Sequence, residues 1–308
     1  MDINSTSMKL KSNSKNYGIP YMGSKSKIMD IISTFFPDAD HFYDLFGGGF
    51  AVTHYMLENR FNSYKEFHFN EIQEGNVKLI KDAIDGKYGE DFKPEWVSRV
   101  KFMQEKDKDF YIKYIWSFGN NGNNYLYNKE LEKHKKSMHN AVVFDKFDQF
   151  MKDNFGISKW PNSMSITGKR LFLKKIASQR IDLQQLEQLQ QLERLEQLQR
   201  LEKKKLFLTS QDYRSVKIKK NSVIYCDPPY KGTADYGNSF SHDNFFEWVV
   251  KQKEPVFISE YNIEYEGIYL LRQIKNRSTL SKDSNSTVAT EKLYGNQAAY
   301  NIIKPFLK

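Results

Sequence analysis

The sequence predicts an α/β protein: an open, mostly parallel sheet whose two halves are separated by an inserted, mainly helical block. Three observations lead there. Short apolar runs at 41–46, 64–71, 206–209, 222–226 and 255–261 have the length and the β-branched and aromatic content of buried strands, several ending in polar residues. Gly47-Gly48-Gly49 follows the first run, as expected where a strand turns into a helix and the backbone approaches a ligand. From about Glu74 to Lys204 strand and helix no longer alternate. The expected division is therefore 1–73, a tail and the first half of the sheet; 74–204, the insertion; and 205–308, the second half.

The elements follow in order. Residues 1–16 are rich in Ser, Asn and Lys and read as a polar tail. A glycine turn at 18–23 leads into a helix expected over 28–36, and the helix after the triple glycine is expected to run to about Asn59. After the insertion come the strand at 206–209, the strand at 222–226, a Gly- and Ser-containing loop over 231–242 that could close over substrate, and a helix over 243–252. Two apolar runs in the tail from Ile268 are expected to complete the sheet as antiparallel strands.

Composition narrows the partners. The 308 residues carry 47 Lys+Arg against 38 Asp+Glu, a formal charge of +9, with 23 Phe and 19 Tyr. A basic, aromatic-rich chain suits a polyanion with stackable bases. The single Cys226 excludes an intramolecular disulfide and a cysteine-cluster metal site. No metal is expected, no run approaches membrane-spanning length and residues 1–16 are not signal-like, so a cytoplasmic protein is expected.

The chemistry is read from Ser222 to Tyr230. The uncharged strand ends in Asp227-Pro228-Pro229-Tyr230, where two prolines fix φ, remove two donors and hold the preceding residues extended. The Asp227 carboxylate and a backbone carbonyl can both accept from an exocyclic amino group, while Tyr230 offers a ring to a planar base. A capped Pro-Pro turn is the plainer alternative. At 64–71, Glu71 ends the strand where a ribose-binding crevice needs a bidentate acceptor; it could instead cap the next helix.

Asp227-Pro228-Pro229-Tyr230 resembles the catalytic motif of amino-group DNA methyltransferases, in the form typical of the adenine-specific ones. The order of cofactor half, insertion and catalytic half resembles the Dam-like group. The resemblance implies a Rossmann-like methyltransferase sheet with an inserted target-recognition domain, S-adenosylmethionine as methyl donor and double-stranded DNA as partner, with a monomer expected. Tyr21, Gly23 and Lys25 match the family's aromatic-x-Gly-(Gly/Ser)-Lys element, which packs on the donor. Asp44, Phe46, Gly47, Gly48 and Gly49 match its Asp-Leu-Phe-x-Gly-x-Gly element, except that Phe50 takes the slot of the last glycine. Asp212 and Tyr213 match an acidic-aromatic pair beside the donor's adenine, although Asp212 could simply cap a turn. Asp227 would face donor and base alike. The implied reaction flips the target adenine out of the duplex and transfers the methyl group directly. Methylation of RNA adenine or DNA cytosine, or a catalytically silent DNA-binding protein, remain the alternatives.

Within the insertion, Asn120 and Asn121 lie in a polar loop that could read adenine edges or form only a turn. It resembles the DNA-contact segment of Dam-like enzymes, without the arginine expected after the glycine. From Lys159 to Arg180, Lys159, Lys169, Arg170, Lys174, Lys175 and Arg180 form a basic cluster free of acids, suited to phosphates, or a solvated face. From Leu183 to Leu201 leucine recurs every third residue. Three residues advance a helix by about 300°, so these leucines wind around the axis and make no zipper. The stretch reads as a spacer helix between the insertion and the sheet.

Overall fold

The computed structural model describes residues 15–177, 186–230, 240–277 and 288–306. The tail to residue 14, Arg180, Leu183 and most of the 231–242 loop lie outside them. Seven strands, β1 His41–Asp44, β2 Glu66–Asn70, β3 Leu206–Thr209, β4 Ser222–Cys226, β5 Val256–Glu260, β6 Ile268–Arg277 and β7 Val288–Asn296, form one sheet in the order β3-β2-β1-β4-β5-β7-β6. β1 to β5 are parallel, and β7 runs antiparallel to both β5 and β6. This is the Rossmann-like methyltransferase sheet, and its tail supplies the antiparallel pair. β1 pairs on one side with β2 and on the other with β4, so the strand order reverses between β1 and β4, where open α/β sheets bind ligands.

Both faces of the central strands are covered. Phe42, Phe67, Val223, Tyr225 and Phe257 point into one core, which also takes α1 Met29–Ile32, α2 Ala51–Asn59 and α3 Glu74–Ile84. Their neighbours Tyr43, Ile224, Cys226, Val256 and Ile258 point the other way. α1 is shorter than the helix expected over 28–36. It passes into a 3-10 turn at Ser33–Phe35, where the Thr34 hydroxyl donates to the Ile31 carbonyl at 2.7 Å and Pro37 follows.

The helices α4 Arg99–Glu105, α5 Phe110–Ile115, α6 Lys129–Phe144, α7 Gln149–Phe155, α8 Ile166–Ile176 and α9 Glu187–Leu198 lie between β2 and β3. Phe102 of α4 and Ile112, Tyr114 and Ile115 of α5 belong to the sheet's own core, whereas Met138, Val142, Met151 and Leu173 of α6 to α8 form a separate cluster. The leucine repeat joins the two. Leu186 and Leu189 are buried in the separate cluster, and Leu192, Leu195, Leu198 and Leu201 in the sheet's core. The winding of a three-residue period over a helix turns one set of leucines toward each. The repeat is thus a wall of the main core as well as a connection. α10 His242–Lys251 covers the second face, and α11 Gln297–Ile303 follows β7.

Leu195 is fully buried, so Leu195→Ala should destabilise the protein by about 2–5 kcal/mol in urea unfolding. A helix that merely bridged two bodies would lose well under ~1 kcal/mol.

Candidate active site

The ends of β1, β2 and β4 deliver the candidate groups to one edge. Gly47 N–H donates to the Asn70 carbonyl at 3.0 Å, and Gly48, at φ +48°, donates to Glu71 Oε2 at 2.8 Å. Glu71 Oε1 accepts from Gln73 N–H at 3.0 Å, so one carboxylate ties the glycine turn to the start of α3. Phe50 stands in the left-handed region at φ 70°, the backbone shape a glycine would take. Its ring is fully buried, edge-on to Phe69 at 5.1 Å, and this packing offsets a conformational cost of about 1–3 kcal/mol.

The N-terminal element closes over that turn. Gly18 is at φ +72°, and a Cβ there would lie 2.1 Å from the Gly49 carbonyl oxygen. Gly18 N–H donates to His54 Nδ1 at 2.9 Å, and Ile19 N–H to the Gly49 carbonyl at 2.8 Å. Tyr21 lies on the glycines and meets Tyr114 edge-on at 5.2 Å; a Cβ at Gly49 would come within 2.4 Å of the Tyr21 Cβ. Gly23, at φ +83°, turns the chain into the Ser24-capped 3-10 helix Lys25–Lys27, which carries Lys25 inward.

Lys25 Nζ lies 2.9 Å from Asp227 Oδ2, 3.4 Å from Glu291 Oε1 and 4.8 Å from the Tyr230 ring centroid. Tyr230 donates its hydroxyl to Glu291 and meets Tyr261 edge-on at 4.6 Å. Burial opposes the Lys25 charge, but Asp227 and Glu291 outweigh it and raise the ammonium's pKa. Burial pushes Asp227 up to about 6, with Lys25 pulling down and Glu291 pushing up. Asp44 accepts from the Thr53 hydroxyl at 2.8 Å and is pushed up to about 7 by burial, with the Thr53 bond opposing and the Asp227 charge adding to the rise. Among the described residues, Asp44 Oδ1 and Asp227 Oδ1 are buried without a hydrogen-bond partner. His242 Nε2–H donates to the Pro229 carbonyl at 2.9 Å, fixing the carbonyl next to that of the buried Pro228. On the other side of Asp44, Phe46 packs against Tyr213 at 5.1 Å, and Phe240 and Phe245 complete an aromatic wall.

Other expected groups are engaged elsewhere. Asp212 holds the Arg214 guanidinium through two bonds of 2.8 Å and caps the turn at Tyr213–Ser215. Asn120 Nδ2 donates to the Tyr114 carbonyl at 2.9 Å, and Asn121 Oδ1 accepts from Asn123 N–H at 2.8 Å, so both asparagines shape their own loop. In the basic cluster Lys169 pairs with Asp145, and Arg170 Nη2 with Glu193 at 2.8 Å; Lys159, Lys174 and Lys175 are exposed. The sequence reading missed His54, Thr53, Glu291 and Arg194, and gave Gly18 no part beyond its turn. Arg194 of α9 donates to the Tyr17 carbonyl at 3.1 Å and the Ile19 carbonyl at 2.8 Å, holding the N-terminal element down.

Among the described residues the arrangement fits a cationic donor bearing a ribose: a glycine turn packed under Tyr21, the acids Asp44, Glu71 and Asp227 around it, and two buried carboxylate oxygens still to be satisfied. The sheet is that of a Rossmann-like methyltransferase, with a buried carboxylate just beyond the end of β4. The chain belongs to the D12 class N6 adenine-specific DNA methyltransferase family, whose sequence model matches residues 21–252. It is thus an adenine-specific DNA methyltransferase, with DNA as its substrate. Comparison with curated proteins gave no match. Among solved structures the chain is similar to two of the rRNA methyltransferase aviRa from Streptomyces viridochromogenes. One is 8% identical, covering 91% of this chain and 86% of that one with a TM-score of 0.34; the other is 10% identical, covering 94% and 90% with a TM-score of 0.35.

With Asp227 held near 6, the ionised acceptor is depleted as pH falls through that value. Methyl transfer should therefore lose about tenfold in kcat/KM per pH unit below it. Lys25 favours the ionised form, so Lys25→Met should move this limb to higher pH; an unmoved limb in the kinetic profile would mean that another group titrates.

Proposed function

We propose that the enzyme takes the target adenine out of the duplex and holds its amino group against Asp227 for direct methyl transfer. The observation that carries this reading is Asp227 Oδ1, buried at the end of β4 without a hydrogen-bond partner among the described residues, beside Tyr230 and next to the glycine turn. An extrahelical adenine would donate one amino proton to Asp227 and the other to the Pro228 carbonyl, with Tyr230 against its ring. These bonds favour a pyramidal nitrogen whose lone pair is free of the ring. Bound S-adenosylmethionine supplies an electrophilic methyl group on a cationic sulfur. The amino nitrogen would bond to that methyl carbon as the carbon–sulfur bond breaks, leaving a neutral thioether, and the methylated amino group would pass its extra proton to water. Tyr21, Lys25, Glu71, Phe46 and Tyr213 would orient the donor, and positioning would supply much of the rate.

The helices over 129–176 and the start of α9, which have their own core, are proposed as the target-recognition domain, with Lys159, Lys174 and Lys175 on phosphates. Since Lys169 and Arg170 are already neutralised by Asp145 and Glu193, they contribute less. Asn120 and Asn121 present the remaining halves of their amides to the duplex.

Incubation with duplex DNA and methyl-labelled donor, followed by nucleoside mass analysis, should give labelled N6-methyladenine. Asp227→Ala should reduce turnover about 100-fold or more while keeping donor affinity. Glu71→Ala should instead weaken the donor by roughly 1.5–3 kcal/mol in calorimetry. Near-normal turnover in the first variant, or unchanged affinity in the second, would remove those roles.

Replacing Lys159, Lys174 and Lys175 by Gln should flatten the log–log salt dependence of DNA binding by about 0.9 per lost contact. The pair Lys169→Gln and Arg170→Gln should change it less. Equal effects would show that the internal ion pairs open on DNA.

A further inference from the structure

At the opposite edge of the sheet from Asp227, three ligand-type side chains converge. His41 opens β1, Glu66 opens β2 as its pairing partner, and His68 stands two residues on, so its side chain shares the face of Glu66. One ligand atom from each lies within 4.8 Å of the others. His41 Nδ1 is 2.9 Å and His68 Nε2 3.0 Å from the same oxygen, Glu66 Oε2.

Two further observations separate this cluster from an ordinary surface ion pair. His41 Nδ1 is buried and, among the described residues, has no hydrogen-bond partner despite its closeness to the carboxylate, so its approach to Glu66 lacks hydrogen-bonding geometry. A neutral imidazole nitrogen without its proton, at that distance from an anionic oxygen, needs a positive centre nearby. The His68 ring, in turn, is clamped between Tyr43, stacked at 4.2 Å and 7°, and Phe207, stacked at 5.0 Å and 15°. Its orientation is fixed with Nε2 toward Glu66. The Lys219 ammonium now serves as the positive centre, 2.6 Å from Glu66 Oε2, on a side chain that is half exposed and can leave.

We propose that His41 Nδ1, Glu66 and His68 Nε2 form a binding site for a late first-row divalent ion such as Zn2+, in competition with Lys219. Two imidazoles and one carboxylate suit Zn2+ and its neighbours rather than Mg2+ or Ca2+. Ligand bonds of about 2.0–2.2 Å in a tetrahedron set ligand atoms about 3.3 Å apart, so small carboxylate and ring movements suffice. A fourth position stays open to water. The ion would join the first residues of β1 and β2 and sit beside the 217–219 segment, which Tyr43 already holds through bonds of 3.3 Å to the Lys217 carbonyl and from Lys219 N–H. Its role is structural, remote from the methyl-transfer edge.

The test uses the full chain, free of any tag and stripped with chelator. Titration with Co2+, read by visible absorption and then by Zn2+ displacement, should show one site with a Kd of about 1 µM or tighter. His41→Ala and His68→Asn should each weaken it about tenfold or more, while Lys219→Met, which keeps every ligand and removes the competitor, should tighten it. Zn2+ should raise the melting temperature of the parent and not that of Glu66→Gln. Absence of a stoichiometric site, binding that survives loss of both histidines, or no gain in Lys219→Met would overturn the proposal.

Discussion

The pairing of β4 with β1 is the constraint on which the rest depends. With Asp44 opposite Tyr225, the chain beyond Cys226 emerges beside the chain beyond Asp44, and the two carboxylates share one buried edge. Burial raises both pKa values; the Asp227 charge adds to the rise at Asp44, while at Asp227 Lys25 pulls down and Glu291 pushes up. Such an edge is electrostatically unsatisfied. A positively charged donor and an amino group that donates protons are the ligands that would satisfy it. More than a hundred residues lie between β2 and β3 in sequence, but β3 re-enters beside β2 in parallel register, so the insertion leaves the catalytic edge intact.

The leucine repeat binds the two parts of the molecule together. Its winding period places successive leucines in two cores, and its half-buried Arg194 reaches the carbonyls of Tyr17 and Ile19. No carboxylate neutralises Arg194 in those contacts, and burial lowers its pKa to about 10. Backbone carbonyls replace its lost hydration. The helix that starts in the separate helical cluster thus ends by fixing the element that carries Tyr21 and Lys25, which gives a physical link between the insertion and the glycine turn.

Much of this was legible in the sequence for simple reasons. Parallel strands buried on both faces leave contiguous apolar runs, and that is how β1, β4 and β5 read; Asp227-Pro228-Pro229-Tyr230 and the triple glycine mark strand ends by their backbone chemistry. Glu291 was not legible. It comes from the last strand, and only the sheet order brings β7 close enough for it to meet Lys25 and Tyr230. Lys169 and Arg170 read as free charges because their partners, Asp145 and Glu193, lie far away in sequence. The boundary at residue 74 followed a change of pattern, whereas burial is continuous through α3, α4 and α5. Arg194 was hidden in low complexity, and His41, Glu66 and His68 become a cluster only when β1 and β2 are set in register.

The most direct measurement is a structure of the protein with S-adenosylhomocysteine and a duplex carrying its target. The account predicts the donor product across the ends of β1 and β2 with its ribose at Glu71, and an extrahelical adenine whose amino nitrogen lies about 2.9 Å from Asp227 Oδ1. Lys25 should have withdrawn toward Glu291. A donor product bound away from the glycine turn, or a target base still stacked in the duplex with Lys25 on Asp227, would contradict it.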